Sequence, residues 1–496
     1  MIRRRTALSL PAAAVGLTPL WAAAQPKKET LVLAMTLEPP GLDPTAGAAA
    51  AISEVVHYNI FETLTKILGD SSITPLLAES WTVTPDNKTW AFKLRTGVTF
   101  HNGEPFNAKT VKFAFERAAE AGSANKDKAT FANIVNIALT DDYTVVLTLK
   151  NPNPDFLFQL GQATASIVEP KSVASNNTQP VGTGPYRLDT WAKGSSVVLA
   201  RWDGWRDAKS IRIRRVTMRF ISDAAAQVAA MLAGDVDYFP RISAAKTLEQ
   251  FKRDKRFQIV ISGSRAKTIV AMNNKKKPLD DVRVRRAIAM AIDRKQVIEG
   301  AADGFGTPIG SFYVPGAPGY IDLTGVNAYN PERAKALLKE AGVITPLELS
   351  MKLPPTPYSR QGGEVVAAML AKVGIIAKQE NVEWAQWLSA VYGQKAYDLT
   401  IIAHVEPLDF GNFARPGYYW NYESARFNEL WAKVNATADP KQRHQFLAEA
   451  QRLVADDAVA AYLYQPTYIT VANAKLQGLW KDMPIFANDL SALHWA

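Results

Sequence analysis

The segment from Tyr397 to Tyr422 concentrates side chains that could hold a small polar ligand. Two carboxylates, Glu406 and Asp409, follow an apolar run that ends at Ala403. Either carboxylate could neutralise a cationic group of a ligand, which is otherwise costly to remove from water. Asp409 has a second interpretation, because an aspartate at this position also caps a following turn.

A dense aromatic run follows these carboxylates. It starts shortly after Arg415 and ends at Tyr422, which is more aromatic surface than a loop needs for its own core. Flat rings stack on sugars or side chains, and tyrosine hydroxyls satisfy polar ligand atoms. The candidate ligand-binding residues of the segment are Glu406, Asp409, Phe410, Arg415, Tyr418, Tyr419 and Trp420.

The sequence lacks the motifs that would indicate an enzyme. It contains no Gly-x-Ser-x-Gly nucleophile elbow and no phosphate loop with Gly-Lys-Ser/Thr. The glycines of 304–310 have the wrong spacing for a dinucleotide loop, and Pro308 would interrupt the start of its helix. The five histidines form no His-x-x-x-His pair, and cysteine is absent. We therefore expect no catalytic residues, no metal site and no cofactor.

Length and composition predict a folded protein of several lobes. The chain has 496 residues, of which 47% are hydrophobic and 21% are charged. At about 150 residues per domain, this length predicts two or three lobes. The formal net charge of +10 becomes +7 without residues 1–24, which carry three arginines and no acid. The basic residues are dispersed and accompany no nucleic-acid motif, so we expect no nucleic-acid partner.

The N-terminus has the pattern of an export signal. Arg3, Arg4 and Arg5 precede an apolar run that ends near Trp21, and three alanines then end at Ala24. Small residues at this point form a signal-peptidase site, so we expect residues 1–24 to be removed near Ala24 and the mature protein to be periplasmic. The twin arginine is only a weak motif, which leaves both the general and the twin-arginine export routes open.

Strand and helix patterns alternate along the chain. Alternation at Trp90, Phe92 and Leu94 predicts a strand paired with 81–84, and the pattern of 137–149 predicts a second hairpin. Capping residues and apolar stripes predict helices after Asn107 and Asn330, around 284–292 and over 225–233, with a strand at 235–238. This mixture predicts α/β lobes with mixed sheets.

Four segments resemble, in chain order, the family 5 extracellular solute-binding proteins, the dipeptide-, oligopeptide- and nickel-binding components of ATP-driven importers. Leu77–Gly103 is similar to the family block AESW…FxLRxGVxFHDG, and Gly182–Tyr186 forms the second match. The third, Pro278–Arg294, is similar to VRxAxxxAIDR, and Asn330–Gly342 begins the fourth. Together the segments cover nearly the whole mature chain.

The resemblance implies an α/β periplasmic binding protein-like clamshell of the class II type. Two ligand-gripping lobes with mixed sheets would enclose the ligand, and a third lobe would be inserted in the first. We expect lobe I at residues 25–66, 176–268 and 474–496, lobe II at 67–175, and lobe III at 269–473. The chain would then cross between the gripping lobes near 268 and 474.

The resemblance also implies where the ligand lies. In peptide-binding relatives a lobe III loop carries an aspartate that pairs with the α-ammonium of the peptide. The corresponding loop here is about one residue shorter and lacks the usual Gly-Asp pair, which leaves Glu406 or Asp409 for this role. Trp384 matches a family tryptophan near the ligand, and Leu42 belongs to an early loop that faces the cleft in relatives.

The function implied is that of the periplasmic solute-binding component of an ABC importer. Such a protein captures a peptide or peptide-like small polar solute in an interlobe cleft and delivers it to an inner-membrane permease. We expect a monomer. An oligosaccharide, an opine or a metal chelate would be bound by the same mechanism. A periplasmic enzyme and an interaction module, such as a ligand-loaded partner of a chemoreceptor, are the alternatives from other classes.

Overall fold

The computed structural model describes residues 28–47, 49–243, 245–437 and 439–496. The expected signal peptide, residues 1–24, lies outside this range. The strands are β1 (Thr30–Met35), β2 (Thr65–Ile67), β3 (Ile73–Pro75), β4 (Ala78–Val83), β5 (Thr89–Leu94), β6 (Ile134–Asp141), β7 (Thr144–Leu149), β8 (Tyr186–Ala192), β9 (Ser196–Arg201), β10 (Arg215–Phe220), β11 (Tyr238–Phe239), β12 (Phe257–Gly263), β13 (Lys267–Met272), β14 (Gly306–Pro308), β15 (Leu347–Leu353), β16 (Ile375–Asn381), β17 (Leu399–His404), β18 (Ala460–Asn473), β19 (Leu476–Gln477) and β20 (His494–Trp495). The helices are α1 (Ala50–Val56), α2 (Ala108–Ala119), α3 (Lys128–Ala132), α4 (Phe156–Gln159), α5 (Ala224–Ala233), α6 (Leu248–Arg253), α7 (Val282–Met290), α8 (Arg294–Ala302), α9 (Pro331–Glu340), α10 (Pro357–Ala371), α11 (Trp384–Trp387), α12 (Ala425–Ala436) and α13 (Pro440–Asp456).

One large mixed sheet runs through the molecule. Its strand order is β16-β15-β17-β13-β18-β11-β1-β10-β9-β8, and β12 and β14 also pair with β18. The pairs β1·β10 and β15·β16 are parallel, whereas β13 is antiparallel to both of its neighbours. A separate antiparallel sheet has the order β4-β5-β7-β6. The predicted α/β fold with mixed sheets is confirmed.

The predicted first hairpin and both asparagine caps are confirmed. Trp81 lies opposite Phe92 in the β4·β5 hairpin, and the alternating side chains of β5 are buried on one face. The side chain of Asn107 accepts from the backbone of the first turn of α2, and Asn330 does the same for α9. These elements were predictable because the capping residue and the apolar periodicity of each helix lie close together in sequence.

The strand predicted at 235–238 is shorter and later than expected. Only Tyr238 and Phe239 form β11. The preceding residue, Asp237, bonds Val32 of β1 instead: its backbone N–H donates to the Val32 carbonyl, and its carboxylate accepts from the Val32 N–H at 2.9 Å. An aspartate side chain therefore replaces one rung of the strand pairing.

The hydrophobic cores divide the molecule into two bodies. One core joins residues of β1, α1, β5, α2 and β10 with the C-terminal Trp495, so the four-stranded sheet is packed continuously against the N-terminal part of the large sheet. We call the elements around this core the I/II body. Two further cores lie entirely between Ile269 and Tyr464. We call the elements around these cores lobe III.

The two bodies are connected where β18 changes its partners. This strand pairs with β13 of lobe III up to Tyr464 and with β12 from Thr467 onward. The other connection is the short segment 264–266 between β12 and β13. The crossings thus lie side by side, at 264–266 and 464–467, and the second comes earlier than the position near 474 expected from the sequence.

Two of the segments that carry the family resemblance serve packing. A Cβ on Gly182 would lie 2.0 Å from the carbonyl oxygen of Ile60, so this position admits only glycine without backbone movement. Arg285 donates to the backbone carbonyls of Leu279 and Asp457. Arg285 therefore binds backbone groups within lobe III.

Candidate functional site

A cleft of about 490 Å³ lies between the I/II body and lobe III. This volume is within the range of roughly 300–1,000 Å³ that is typical of small-ligand sites. The I/II body contributes Ala50, Ser53, His57, Lys126, Asp127, Ala129, Thr130, Gln159, Gln162, Ala163, Thr164, Tyr468, Met483, Pro484, Ile485 and Phe486. Lobe III contributes Val405, Glu406, Pro407, Leu408, Asp409 and Asn412, and the connection 264–266 contributes Arg265.

The lobe III wall is a loop fixed by one buried lysine. Lys267, the first residue of β13, donates from Nζ to the backbone carbonyl of Glu406 at 2.6 Å and to Oδ1 of Asp409 at 2.5 Å. The same ammonium lies 4.8 Å from the centre of the Phe312 ring. Lys267 is 3% and Asp409 7% exposed, so this is an ion pair of the interior. It ties the loop after β17 to the neighbouring strand.

His404 completes the environment of Asp409. Its Nδ1 donates to Oδ2 of Asp409 at 3.1 Å, and its Nε2 lies 2.9 Å from the Tyr419 hydroxyl. Burial alone would raise the pKa of Asp409, but the Lys267 ammonium and the His404 ring hold that pKa below its ordinary value. Asp409 is therefore an ionised group already neutralised within lobe III, and capping of the next turn is not what its side chain does.

The three side chains His404, Glu406 and Asp409 come close enough to suggest a metal site. One potential ligand atom of each lies within 4.8 Å of the others. The Lys267 ammonium, however, already contacts Oδ1 of Asp409 at 2.5 Å. A second cation there would be repelled by the first, so we do not assign a metal to this cluster.

Glu406 is the carboxylate of this loop that remains open to the cleft. Its side chain is exposed, and in the described part of the chain no lysine or arginine pairs with it. Only its backbone carbonyl is used, as the acceptor for Lys267. Of the two carboxylates identified in the sequence, Glu406 is thus the one available to a cationic ligand group.

His57 contributes a neutral side chain to the opposite wall. Its Nε2 donates to the carbonyl of Gly161 at 3.0 Å, and its ring stacks on Tyr58 with a centroid distance of 3.7 Å. Burial lowers the pKa of His57 to about 3. The Gly161 contact and the Asp489 carboxylate oppose this shift, whereas the Lys66 and Lys126 ammonium groups add to it. The imidazole is therefore uncharged at neutral pH.

Charges of both signs line the remaining walls. Arg265 and Lys126 are cationic, and Asp127 accepts a hydrogen bond from the Thr164 hydroxyl at 2.6 Å. The guanidinium of Arg265 donates to the Ser71 hydroxyl. Sequence reasoning missed Arg265, His57 and the C-terminal wall at 483–486, because nothing local in the sequence indicates that they meet the 405–412 loop.

Four of the residues predicted to bind ligand lie in hydrophobic cores. Phe410, Tyr419 and Trp420 are buried in a lobe III core, and Leu42 is buried in the core of the I/II body. Their packing exposes no ring or aliphatic face to the described cleft. A single loop cannot reveal this, since an aromatic run has the same composition whether it closes a core or lines a site.

The other predicted site residues lie on the lobe III surface outside the described cleft. Trp384 is 42% exposed on α11, and its ring lies edge-on to the buried Trp387 at 5.9 Å. Arg415 is exposed and stacks over Tyr418 at 5.5 Å from the ring centre. Trp384 and Arg415 are thus exposed on lobe III, whereas Tyr418 is half-buried.

A second cavity of about 470 Å³ shares Tyr468 with the cleft. Its charged lining groups already have partners: Arg241 is paired with Glu54, and Asp303 with Lys246 at 3.4 Å. Since these charges are neutralised internally, we place the candidate site in the cleft and not here.

The ion pair between Arg443 and Asp155 bridges the two bodies beside the cleft. Arg443 of α13 contacts Asp155, the residue before α4, at 2.8 Å. Both side chains are about one-quarter exposed. Asp155 moves with the I/II body because Phe156 is part of its core, whereas Arg443 moves with lobe III. The bridge therefore exists only when the two bodies approach each other.

Comparisons with known proteins identify relatives of this architecture. The family described as "Bacterial extracellular solute-binding proteins, family 5 Middle" matches residues 72–450 of this chain. The chain is 29% identical to the probable D,D-dipeptide-binding periplasmic protein DdpA of Escherichia coli K12, covering 91% of each chain. It is 27% identical to the dipeptide-binding protein of the same organism, over 94% of this chain and 95% of that protein.

Solved structures have the same fold. HbpA2 from Haemophilus parasuis superposes with a TM-score of 0.85 at 23% identity, covering 94% of this chain and all of that one. DppA from Helicobacter pylori, in complex with the peptide STSA, gives 0.78 at 24% identity, with 95% and 98% covered. Among the described residues no helix is both long and apolar enough for a membrane span. With its middle portion matched over 72–450, this chain belongs to the family 5 bacterial extracellular solute-binding proteins.

Proposed function

We propose that this protein is the periplasmic binding component of an ABC importer that captures a peptide or peptide-like zwitterion and hands it unaltered to a membrane permease. The observation that carries the proposal is the unpaired charge of both signs in one cleft, with Glu406 on lobe III and Arg265 on the connection between the bodies. Peptides present an ammonium and a carboxylate, which these two side chains complement. The names of the dipeptide-binding relatives support this ligand class.

Binding is proposed to be coupled to closure of the two bodies. Separate cores and two adjacent chain crossings favour a hinge, as in other binding proteins that close around a ligand. A ligand that contacts walls on both sides stabilises the closed form by its additional contacts. The absence of catalytic motifs supports release without chemical change.

Native mass spectrometry of gently purified mature protein tests this function. We expect a co-purifying compound of peptide-like mass that is recovered intact after denaturation. Its hydrolysis or other conversion on incubation with fresh protein would indicate an enzyme instead. A protein that binds none of a broad panel of peptides, opines and oligosaccharides would overturn the proposal.

Glu406→Gln should weaken ligands with a free ammonium group. The substitution keeps the shape of the side chain but removes the charge that faces the cleft, which costs about 1.5–3 kcal/mol for a charged hydrogen bond. Calorimetric titration with a dipeptide and with its N-acetyl derivative measures this: only the free amine should lose affinity. Glu423→Gln, an exposed acid paired with Lys275, is the matched control. Equal affinities of Glu406→Gln and wild type would remove Glu406 from the site.

Breaking the Arg443–Asp155 bridge should weaken ligand binding without touching the cleft wall. A partly exposed ion pair contributes about 0.5–1 kcal/mol, so Asp155→Asn should lower affinity about two- to fivefold by favouring the open form. Arg443→Gln should have the same effect, and the double variant should be no worse than either single one. Fully additive losses in the double variant would show that the two residues act separately.

A further inference from the structure

Asn102 and Gly103 form the single Asn-Gly pair of the sequence, and they lie at the tip of an exposed turn, residues 100–104. Two backbone hydrogen bonds close this turn. The Gly103 N–H donates to the Phe100 carbonyl at 2.9 Å, and the Phe100 N–H donates to the Glu104 carbonyl at 2.8 Å. Asparagine is a chemically labile residue, and a following glycine leaves its backbone nitrogen without a shielding side chain. The pair therefore has the composition of a site of spontaneous modification.

The geometry of the turn exposes the Asn102 amide to attack by the next backbone nitrogen. Gly103 has a φ of +88°, and among the described residues no heavy atom lies within 4 Å of the position that a Cβ would occupy there. The Glu104 N–H donates to Oδ1 of Asn102 at 3.2 Å. This donor stabilises the negative charge that develops on Oδ1 when a nucleophile adds to Cγ. The hydrogen bond from Gly103 to Phe100 must open first, and local opening of an exposed turn requires little free energy.

We propose that Asn102 is converted, without an enzyme, to aspartate and isoaspartate through a cyclic imide. The Gly103 nitrogen adds to Cγ of Asn102, so that an N–Cγ bond forms and the Cγ–Nδ2 bond breaks. The proton of the Gly103 N–H leaves with Nδ2 as ammonia. Water, the one co-reactant, then opens the imide at either carbonyl. Cleavage of the new N–Cγ bond gives aspartate, whereas cleavage of the original main-chain bond gives isoaspartate, whose chain continues through Cγ.

The conversion removes a donor that binds a buried carboxylate. Nδ2 of Asn102 donates to Oε2 of Glu169 at 3.1 Å, and Glu169 is 2% exposed. In the aspartate product a carboxylate oxygen faces the Glu169 carboxylate, and two adjacent carboxylates cannot both ionise without cost. The Lys171 ammonium beside them is already paired with Glu104 at 2.5 Å. We therefore expect the product to be less stable than the parent protein.

The turn also connects distant parts of the I/II body through His101. The His101 N–H donates to the Gly182 carbonyl at 2.9 Å, and its Nε2 donates to the Gly184 carbonyl at 2.9 Å. Isoaspartate adds one carbon to the main chain directly after His101, so these contacts and the hydrogen bonds of the turn cannot all be kept. Since residues 100–104 lie outside the lining of the cleft, we expect lower stability and unchanged ligand affinity of the folded protein.

Peptide mapping by mass spectrometry of wild-type protein stored at neutral and at mildly alkaline pH tests the modification. We expect the peptide that contains Asn102 to gain the mass difference between an amide and an acid, as two products that chromatography separates. Conversion should be faster at alkaline pH, because the attacking nitrogen must lose its proton. The exposed Asn151 is the internal control and should stay unchanged, because the nitrogen of Pro152 carries no proton. Unmodified Asn102 in the folded protein at both pH values would overturn the proposal.

Urea denaturation of variants tests the expected loss of stability. Asn102→Asp reproduces the direct product and should unfold at a lower urea concentration than wild type. Asn102→Asp/Glu169→Gln again sets an amide against a carboxylate and should recover most of this shift. Asn136→Asp, on the exposed surface of β6, is the matched control and should unfold as wild type does. Equal midpoints for Asn102→Asp and wild type, or no recovery in the double variant, would overturn the role of carboxylate repulsion. Peptide mapping needs only the wild-type protein, so poor folding of a variant leaves the test of the modification intact.

Discussion

Lys267→Met should lower the free energy of unfolding by about 3–5 kcal/mol, the usual loss when one partner of a buried ion pair is removed. The Asp409 carboxylate, which is 7% exposed in the intact protein, would be deprived of its ammonium partner. The backbone carbonyl of Glu406 would lose its donor as well. Urea denaturation of the mature protein measures the change.

The same variant should also lose ligand affinity, because the loop 405–409 is fixed to β13 through Lys267. The second variant Lys267→Met/Asp409→Leu removes both charges and should recover much of the stability. Lys275→Met, which breaks an exposed pair with Glu423, should cost less than about 1 kcal/mol. A loss of similar size for Lys275→Met and Lys267→Met would contradict the special role assigned to the buried pair.

Acidification from pH 6.5 to 4.5 should destabilise the protein through two buried histidines. Burial lowers the pKa of His57 to about 3 and that of His101 to about 4, whereas both are near 6.5 in the unfolded chain. In this window the unfolded chain binds protons that the folded protein does not, so stability falls as the pH falls. Each shift contributes a loss of about 2.5 kcal/mol by pH 4.5, calculated from about 1.4 kcal/mol per pKa unit.

His57→Gln isolates the contribution of the cleft histidine. The glutamine side chain can still donate to the Gly161 carbonyl but takes up no proton. Between pH 6.5 and pH 4.5 the free energy of unfolding of the variant should therefore fall by about 2.5 kcal/mol less than that of wild type. The measurement compares urea denaturation at pH 6.5 and pH 4.5, which makes any constant loss of packing against Tyr58 irrelevant. Glu54, whose pKa is raised by burial, acts in the opposite direction in both proteins. Identical pH slopes for the two proteins would show that His57 is not buried as a neutral group.

Local patterns predicted the elements, and the family resemblance predicted the clamshell. Asn107 and Asn330 cap helices whose apolar stripes follow within two turns, so that cap, period and core agree within one short segment. The hairpin around Trp90 is equally local. These features need no information from distant parts of the chain.

The candidate site was only partly predictable, because it depends on contacts between distant residues. Glu406 and Asp409 differ by three positions, yet one is open to the cleft and the other is neutralised by Lys267, 142 residues away in sequence. A lysine at the start of the apolar strand Lys267–Met272 is a signal that a buried acid is required, but it does not say which acid. Tyr419 and Trp420 have the composition of a stacking site and form a core instead.

Small-angle X-ray scattering tests the central claim most directly, namely that the I/II body and lobe III close around a ligand. Scattering from the mature protein is measured with and without the compound identified by native mass spectrometry. We predict a smaller radius of gyration with ligand, and a smaller change for Asp155→Asn at subsaturating ligand than for wild type. Identical profiles with and without saturating ligand would contradict a hinged cleft that closes on binding.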